Sequence, residues 1–166
     1  ITGMLKELGA VPVGMPVPAV PAAVSKGVID GAVIPWEITL PLKMADLVKN
    51  HTGHAGDRGL YTATFVFAMN KASYDKLPDD LKKIIDNNSG VETAAWAGRA
   101  MDGGDKIGFA KAKGKGNNII TVKNVDDWKK AAKPVVDKWI ADMKAKGIDG
   151  AALVAEAKAL VAKHTK

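Results

Sequence analysis

Apolar positions along the chain change their period several times, and each change predicts an element. The opening ITGMLKELGA places Leu5 and Leu8 late in an amphipathic helix, and Gly9 follows as its C-terminal stop. VPVGMP, residues 11–16, reads as a short strand. Pro18 fits the first turn of a helix, where a missing N–H costs nothing, and that helix runs to Gly27. A further apolar run, VIDGAVIP at residues 28–35, reads as a strand ended by Pro35. Ile38, Leu40, Leu42, Met44, Leu47 and Val48 continue as a helix. Strand, helix and strand within about thirty residues is the spacing of a βαβ unit.

LYTATFVFAMN, residues 60–70, is rich in β-branched and aromatic residues and apolar on both faces, which predicts a strand inside a sheet with neighbours on both sides. Leu77-Pro78-Asp79-Asp80 then sets proline and acids at a helix N-terminus, where free N–H groups and the dipole favour them. From residue 79 to about residue 113 the pattern is compatible with one very long helix. Gly90, Gly98, Gly103, Gly104 and Gly108 each weaken it by roughly 1 kcal/mol relative to alanine, so it can bend. Residues 117–122 form another β-branched run. Val125, Trp128, Ala132, Val135, Trp139 and Met143 then recur at helical spacing up to Gly147, and Leu153, Ala157, Leu160 and Val161 mark a last helix.

Composition narrows the class. The 166 residues are 47% hydrophobic and 25% charged, enough for one domain or for two small lobes sharing segments. No window reaches the roughly 18 apolar residues of a membrane helix, and the opening helix lacks a preceding cap, as in a mature or truncated product. The absence of cysteine excludes thiolate catalysis, thiolate zinc sites and disulfides, and fits an oxidising compartment such as the periplasm. Of 24 basic residues only Arg58 and Arg99 are arginines, whereas nucleic-acid surfaces recruit arginine and interleaved aromatics. The net charge of +6 therefore reads as a solvated lysine surface, with no nucleic-acid partner.

Chemistry-bearing motifs are few. KAKGKGNN, residues 111–118, lacks the hydroxyl residue that a phosphate loop needs after its lysine. His51 and His54 in NHTGH read as a polar turn rather than a metal site, and no catalytic elbow or nucleophile with an adjacent base is present. The acid pairs Asp79-Asp80 and Asp126-Asp127 both precede apolar helical runs and serve as N-terminal caps. Trp36 differs, because it follows a strand-ending proline, where open α/β sheets bind ligands; a core role and a ligand-facing one are equally open to it. Trp96, Trp128 and Trp139 sit on helical stripes and read as packing residues.

Two blocks carry a family resemblance. MPVPAVPAAVSKGVIDGAVIPW resembles the second-lobe segment of TRAP-transporter solute-binding proteins, the dicarboxylate-type DctP family, with Met15, Pro16, Val20, Ala23, Asp30, Gly31 and Pro35 in register. FVFAMNKASYDKLPDDLKKIID is similar to a later block of the same family through Asn70, Tyr74, Leu77, Pro78 and Leu81. The resemblance implies an α/β, periplasmic-binding-protein-like two-lobed fold of class II type, of which this chain is the C-terminal half with a long lobe-spanning helix. Residues 1–59 and 100–166 would lie in the second lobe and residues 60–99 in the first, hinged near Arg58 to Tyr61 and in the long helix.

It further implies a periplasmic receptor, not an enzyme and without cofactor or metal, that closes over a small organic acid and delivers it to TRAP permease subunits. The ligand-facing candidates are Val17, Ile34, Pro35, Trp36, Thr62 and Phe65. Val17 and Ile34 stand where family members often carry Phe and Asn, so a more apolar pocket is expected, suited to a branched, keto or aromatic acid. The family's carboxylate-binding arginine would fall before Ile1, which makes the other half of the receptor, or a second copy of this chain, an expected partner. Whether Arg58 or Arg99 approaches the ligand stays open. A self-associating structural fragment and an uncharacterised α/β enzyme are the rival readings.

Overall fold

The computed structural model describes residues 1–56 and 59–164. The chain divides into two compact units, one made of Ile1–Val17, Asn50–Thr62 and Ile119–Lys166, the other of Pro18–Lys49 and Ala63–Asn118.

The first unit begins with α1 (Thr2–Glu7), which ends where Gly9 takes up φ +82°. Its strands are β1 (Asn50–His54) and β2 (Asn118–Val122), the latter entered from the last residue of the second unit. They run parallel: Asn118 N–H donates to Lys49 O at one end (2.8 Å) and Ala55 N–H donates to Val122 O at the other (2.9 Å). Then come α8 (Val125–Lys144) and α9 (Gly150–His164), numbered in chain order after the helices of the second unit. α1 packs on α8 through a glycine: a Cβ on Gly3 would stand 3.0 Å from Val135 Cγ1. α9 begins against α8 in the same way, with Gly150 buried over Met143 and Ile140.

The second unit contains a 3-10 turn (Val17–Ala19, its first residue in the other unit), α2 (Val20–Ser25), α3 (Trp36–Thr39), α4 (Met44–Leu47), α5 (Lys71–Asp75), α6 (Asp79–Asn87) and α7 (Val91–Gly114). Its buried residues are Val20, Thr39, Met44, Ala45, Gly108, Ala112 and Asn117. Asn117 ties the α4 end of this core together. Its Nδ2 donates to Ala45 O at 2.8 Å and to Val48 O at 3.1 Å, satisfying two carbonyls that the short helix leaves open. Lys115 adds an ion pair to Asp46, which holds the Asp46 carboxyl below its ordinary range.

Several expectations are corrected. Residues 11–16, 28–34 and 60–70 form no strand, and the ladder among the described residues is confined to β1 and β2. A strand is stable only when its N–H and C=O groups pair along a ladder, and none of these runs joins the β1–β2 ladder. The consequence is sharpest at residues 61–70, all exposed, where Phe67 is 110% accessible and Val66 85%. Conversely β1 occupies NHTGH, which its polar residues present as a turn; its pairing with β2 comes from residues far away in sequence. The helix expected after Pro35 is two short pieces, because Pro41 has no N–H to give and Lys43 adopts φ +53° before α4. The very long helix also parts, at Gly90 (φ +88°), leaving α6 and α7. The other four glycines remain inside α7, whose 24 residues span about 36 Å.

Candidate functional site

Trp36 opens α3 directly after Pro35, whose extended backbone (φ −65°, ψ 159°) stops any helix from starting earlier. The helix is one turn long and could not persist by propensity. It is held instead by α7. A Cβ at Gly108 would fall 2.2 Å from Trp36 O, and one at Gly104 would fall 2.7 Å from Glu37 Cβ. The two glycines, one helical turn apart, thus form a notch into which the α3 backbone sinks. Asp105 lies between them and accepts a hydrogen bond from Glu37 N–H at 2.9 Å, satisfying a free donor of the first turn. Thr39 Oγ1 donates to Trp36 O at 2.6 Å and closes the turn from its other end.

The same helix supplies Phe109. Its ring meets that of Trp36 edge to face, with centroids 5.4 Å apart and planes at 77°, a geometry worth about 0.5–1.5 kcal/mol beyond area burial. Trp36 is half-buried in this arrangement. Glu37 beside it carries a raised pKa, chiefly because partial burial penalises its charge, and then because its carboxyl shares a hydrogen bond and like charge with Asp105.

Of the six residues singled out from sequence, Ile34, Pro35 and Trp36 are consecutive and half-buried in the second unit. Phe65 belongs to the same unit but is 65% accessible, on the unladdered run. Val17 and Thr62 belong to the first unit and are exposed. Arg58 lies outside the described residues, as does that part of the expected hinge. Arg99 is exposed on α7. Glu37, Asp105 and Phe109 were not anticipated, and Gly104 and Gly108 were read as weak points of a bending helix; their spacing of four is the signal that marks a close helix contact. Trp96 is 65% accessible and packs no core, contrary to the reading of its stripe.

The first unit has a cavity of about 520 Å³ lined by Met4, His54, Leu60, Val125, Trp128 and Ala132 among others. None of the six sequence candidates lines it. His54 meets Trp128 edge to face at 4.8 Å, and its Nε2 is buried without a hydrogen-bond partner among the described residues. No group of three or more metal-ligating side chains occurs among the described residues, and no described helix is long and apolar enough to cross a membrane.

Comparison with known proteins supplies the context of this site. The family model for DctP, bacterial extracellular solute-binding protein family 7, matches residues 1–142. A TRAP solute-binding protein from Rhodoferax ferrireducens, solved with copurified benzoate, is 48% identical over 98% of this chain, with a TM-score of 0.91. A marine metagenome TRAP solute-binding protein specific for aromatic acid ligands, solved with 3-hydroxybenzoate, is 47% identical over 99% of this chain, again with a TM-score of 0.91. A TRAP periplasmic solute-binding protein from Desulfovibrio salexigens, in an open complex, is 34% identical over 98%, with a TM-score of 0.75. This chain spans 52%, 52% and 50% of those structures, about half of each. The family consists of solute-binding receptors rather than enzymes, and the periplasmic-binding-protein fold of these structures is the fold of the corresponding part here. With a family match over most of its length and two relatives near half identity, the chain belongs to the DctP family of bacterial extracellular solute-binding proteins, family 7.

Proposed function

We propose that this chain is the C-terminal half of a periplasmic receptor that captures a small aromatic monocarboxylic acid and passes it to a TRAP permease. The observation that carries the reading is the identity of 47% over 99% of the chain with a receptor specific for aromatic acids. The local chemistry agrees with it. Trp36 and Phe109 place two rings edge to face beside the half-buried Ile34 and Pro35, and a flat apolar acid gains more from such a wall than a short dicarboxylate does. Val17 and Ile34 add apolar surface where a more polar ligand would call for donors. Thr62 and Phe65 complete the proposed lining once the lobes close.

The carboxylate needs a cation, and the arginine that answers it belongs in this reading to the other half of the receptor. That half also covers the apolar run at residues 61–70 by adding strands beside it, since an open two-sided edge invites association. Residues 60–99 contribute to the first lobe and the remainder to the second.

The test is a thermal-shift panel on the receptor with both halves present. A ligand bound only by the folded state adds RT ln(1 + [L]/Kd), about 2.7 kcal/mol at a hundredfold excess over Kd. Benzoate and 3-hydroxybenzoate should raise the midpoint and succinate should not. A panel of aromatic acids with no shift at millimolar concentration would refute the proposal.

A further inference from the structure

α3 has four residues, no side-chain cap of its own and a proline before it. Within it, the hydrogen bond from Thr39 Oγ1 to Trp36 O closes the turn. Residues 104–109 of α7 add several restraints on the angle at which Trp36 leaves the backbone. Gly104 and Gly108 let the α3 backbone approach closer than any side chain would permit, Asp105 between them receives the Glu37 N–H, and Phe109 next to Gly108 meets the Trp36 ring. Four of six consecutive residues, 104 to 109, therefore act on one tryptophan and its neighbour.

From this geometry we infer that Asp105 is a positioning residue for Trp36: its carboxylate anchors α3 in the glycine notch so that the Trp36–Phe109 pair is preset as a wall for the bound acid. The inference rests on the proposed binding role of Trp36 and deepens it. A ring already held at its bound angle loses little freedom when ligand arrives, which is how preorganisation raises affinity. The carboxylate acts through Glu37 N–H and the helix backbone; it makes no contact with the acid, and a carboxylate facing a carboxylate ligand would oppose binding.

The experiment labels the tryptophans of the receptor, both halves present, with fluorotryptophan and follows fluorine NMR and benzoate titration in parallel. The Trp36 signal is the one lost in Trp36→Phe. Asp105→Ala should shift or broaden that signal in the ligand-free protein, leave the other tryptophan signals in place, and weaken benzoate binding about tenfold, the scale of one charge-assisted hydrogen bond. Asp105→Asn keeps an acceptor at the same position and should restore both signal and affinity. Gly104→Ala, which displaces Glu37 and leaves the carboxylate present, should disturb the Trp36 signal as well, and serves if Asp105→Ala does not fold.

An unmoved Trp36 signal in these variants overturns the inference, as does equal loss in Asp105→Asn and Asp105→Ala. A moved signal with unchanged benzoate affinity overturns it too, provided Trp36→Ala weakens binding. Unchanged affinity in Trp36→Ala refutes the binding role itself, a separate failure recognised without reference to Asp105.

Discussion

Replacing Gly108 by alanine tests the α3–α7 contact most severely. The added Cβ would stand 2.2 Å from Trp36 O, 2.8 Å from Trp36 C and 3.1 Å from Thr39 Oγ1. A carbon and a carbonyl oxygen rest at about 3.3 Å or more, so α3 and α7 must separate by roughly 1 Å, and backbone cannot swing aside as a flexible side chain would. Overpacking of this kind costs about 1–3 kcal/mol, and the displaced Glu37 N–H loses its partner for about 1 kcal/mol more. Alanine returns about 1 kcal/mol through helix propensity. The balance is a destabilisation of about 2 kcal/mol.

The control lies on the same helix. Gly103 has nothing within 4 Å of its virtual Cβ, so Gly103→Ala should stabilise by up to about 1 kcal/mol. Urea denaturation of the two variants and their parent, with both halves of the receptor present, measures the contrast. The order expected is Gly103→Ala above parent above Gly108→Ala, separated end to end by about 3 kcal/mol. Equal midpoints for the two alanine variants would refute the notch, since propensity alone predicts that they gain equally.

Other predictions follow from single residues. Asn117→Ala should destabilise by about 2 kcal/mol in urea denaturation, because it leaves the buried carbonyl of Ala45 and the part-buried carbonyl of Val48 without their donor. Glu37 has a folded-state pKa above its ordinary value, so the folded protein holds that proton more tightly than the unfolded chain does. Its contribution to stability is therefore full below the ordinary glutamate range and declines as pH rises through the raised folded value; Glu37→Gln should flatten this part of the stability–pH curve. His51 shows the opposite sense: burial pushes its imidazole pKa down, so its contribution is lost as pH falls below the ordinary histidine value, and His51→Asn should lessen the decline on that side.

Punctuation by glycine and proline was the legible part of this fold. Gly9, Gly27 and Gly147 all adopt the left-handed conformation that a helix stop requires, at φ +82°, +65° and +74°, and Pro35 marks the start of α3. The spacing of Val125 to Met143 gave α8 because an amphipathic helix declares itself within its own residues. Strands do not. Residues 60–70 carry the composition of a buried strand, yet a ladder also needs a neighbour, and no local pattern says whether the same chain provides one. β1 failed in the other direction, since NHTGH is polar and its pairing is decided by β2, more than sixty residues away. At the candidate site, Trp36 was singled out from its place after Pro35. Asp105 and Phe109 were not, because the contact of α3 with α7 joins residues about seventy positions apart, and the glycines that permit it look in sequence like defects of a helix.

Direct calorimetric titration of the receptor, both halves present, with benzoate and with succinate tests the central claim. The account predicts saturable binding of benzoate at one site per receptor, weakened by Trp36→Ala, and at least tenfold weaker binding of succinate, a difference of about 1.4 kcal/mol or more. Succinate bound as tightly as benzoate, or benzoate bound equally well without the Trp36 ring, would contradict it.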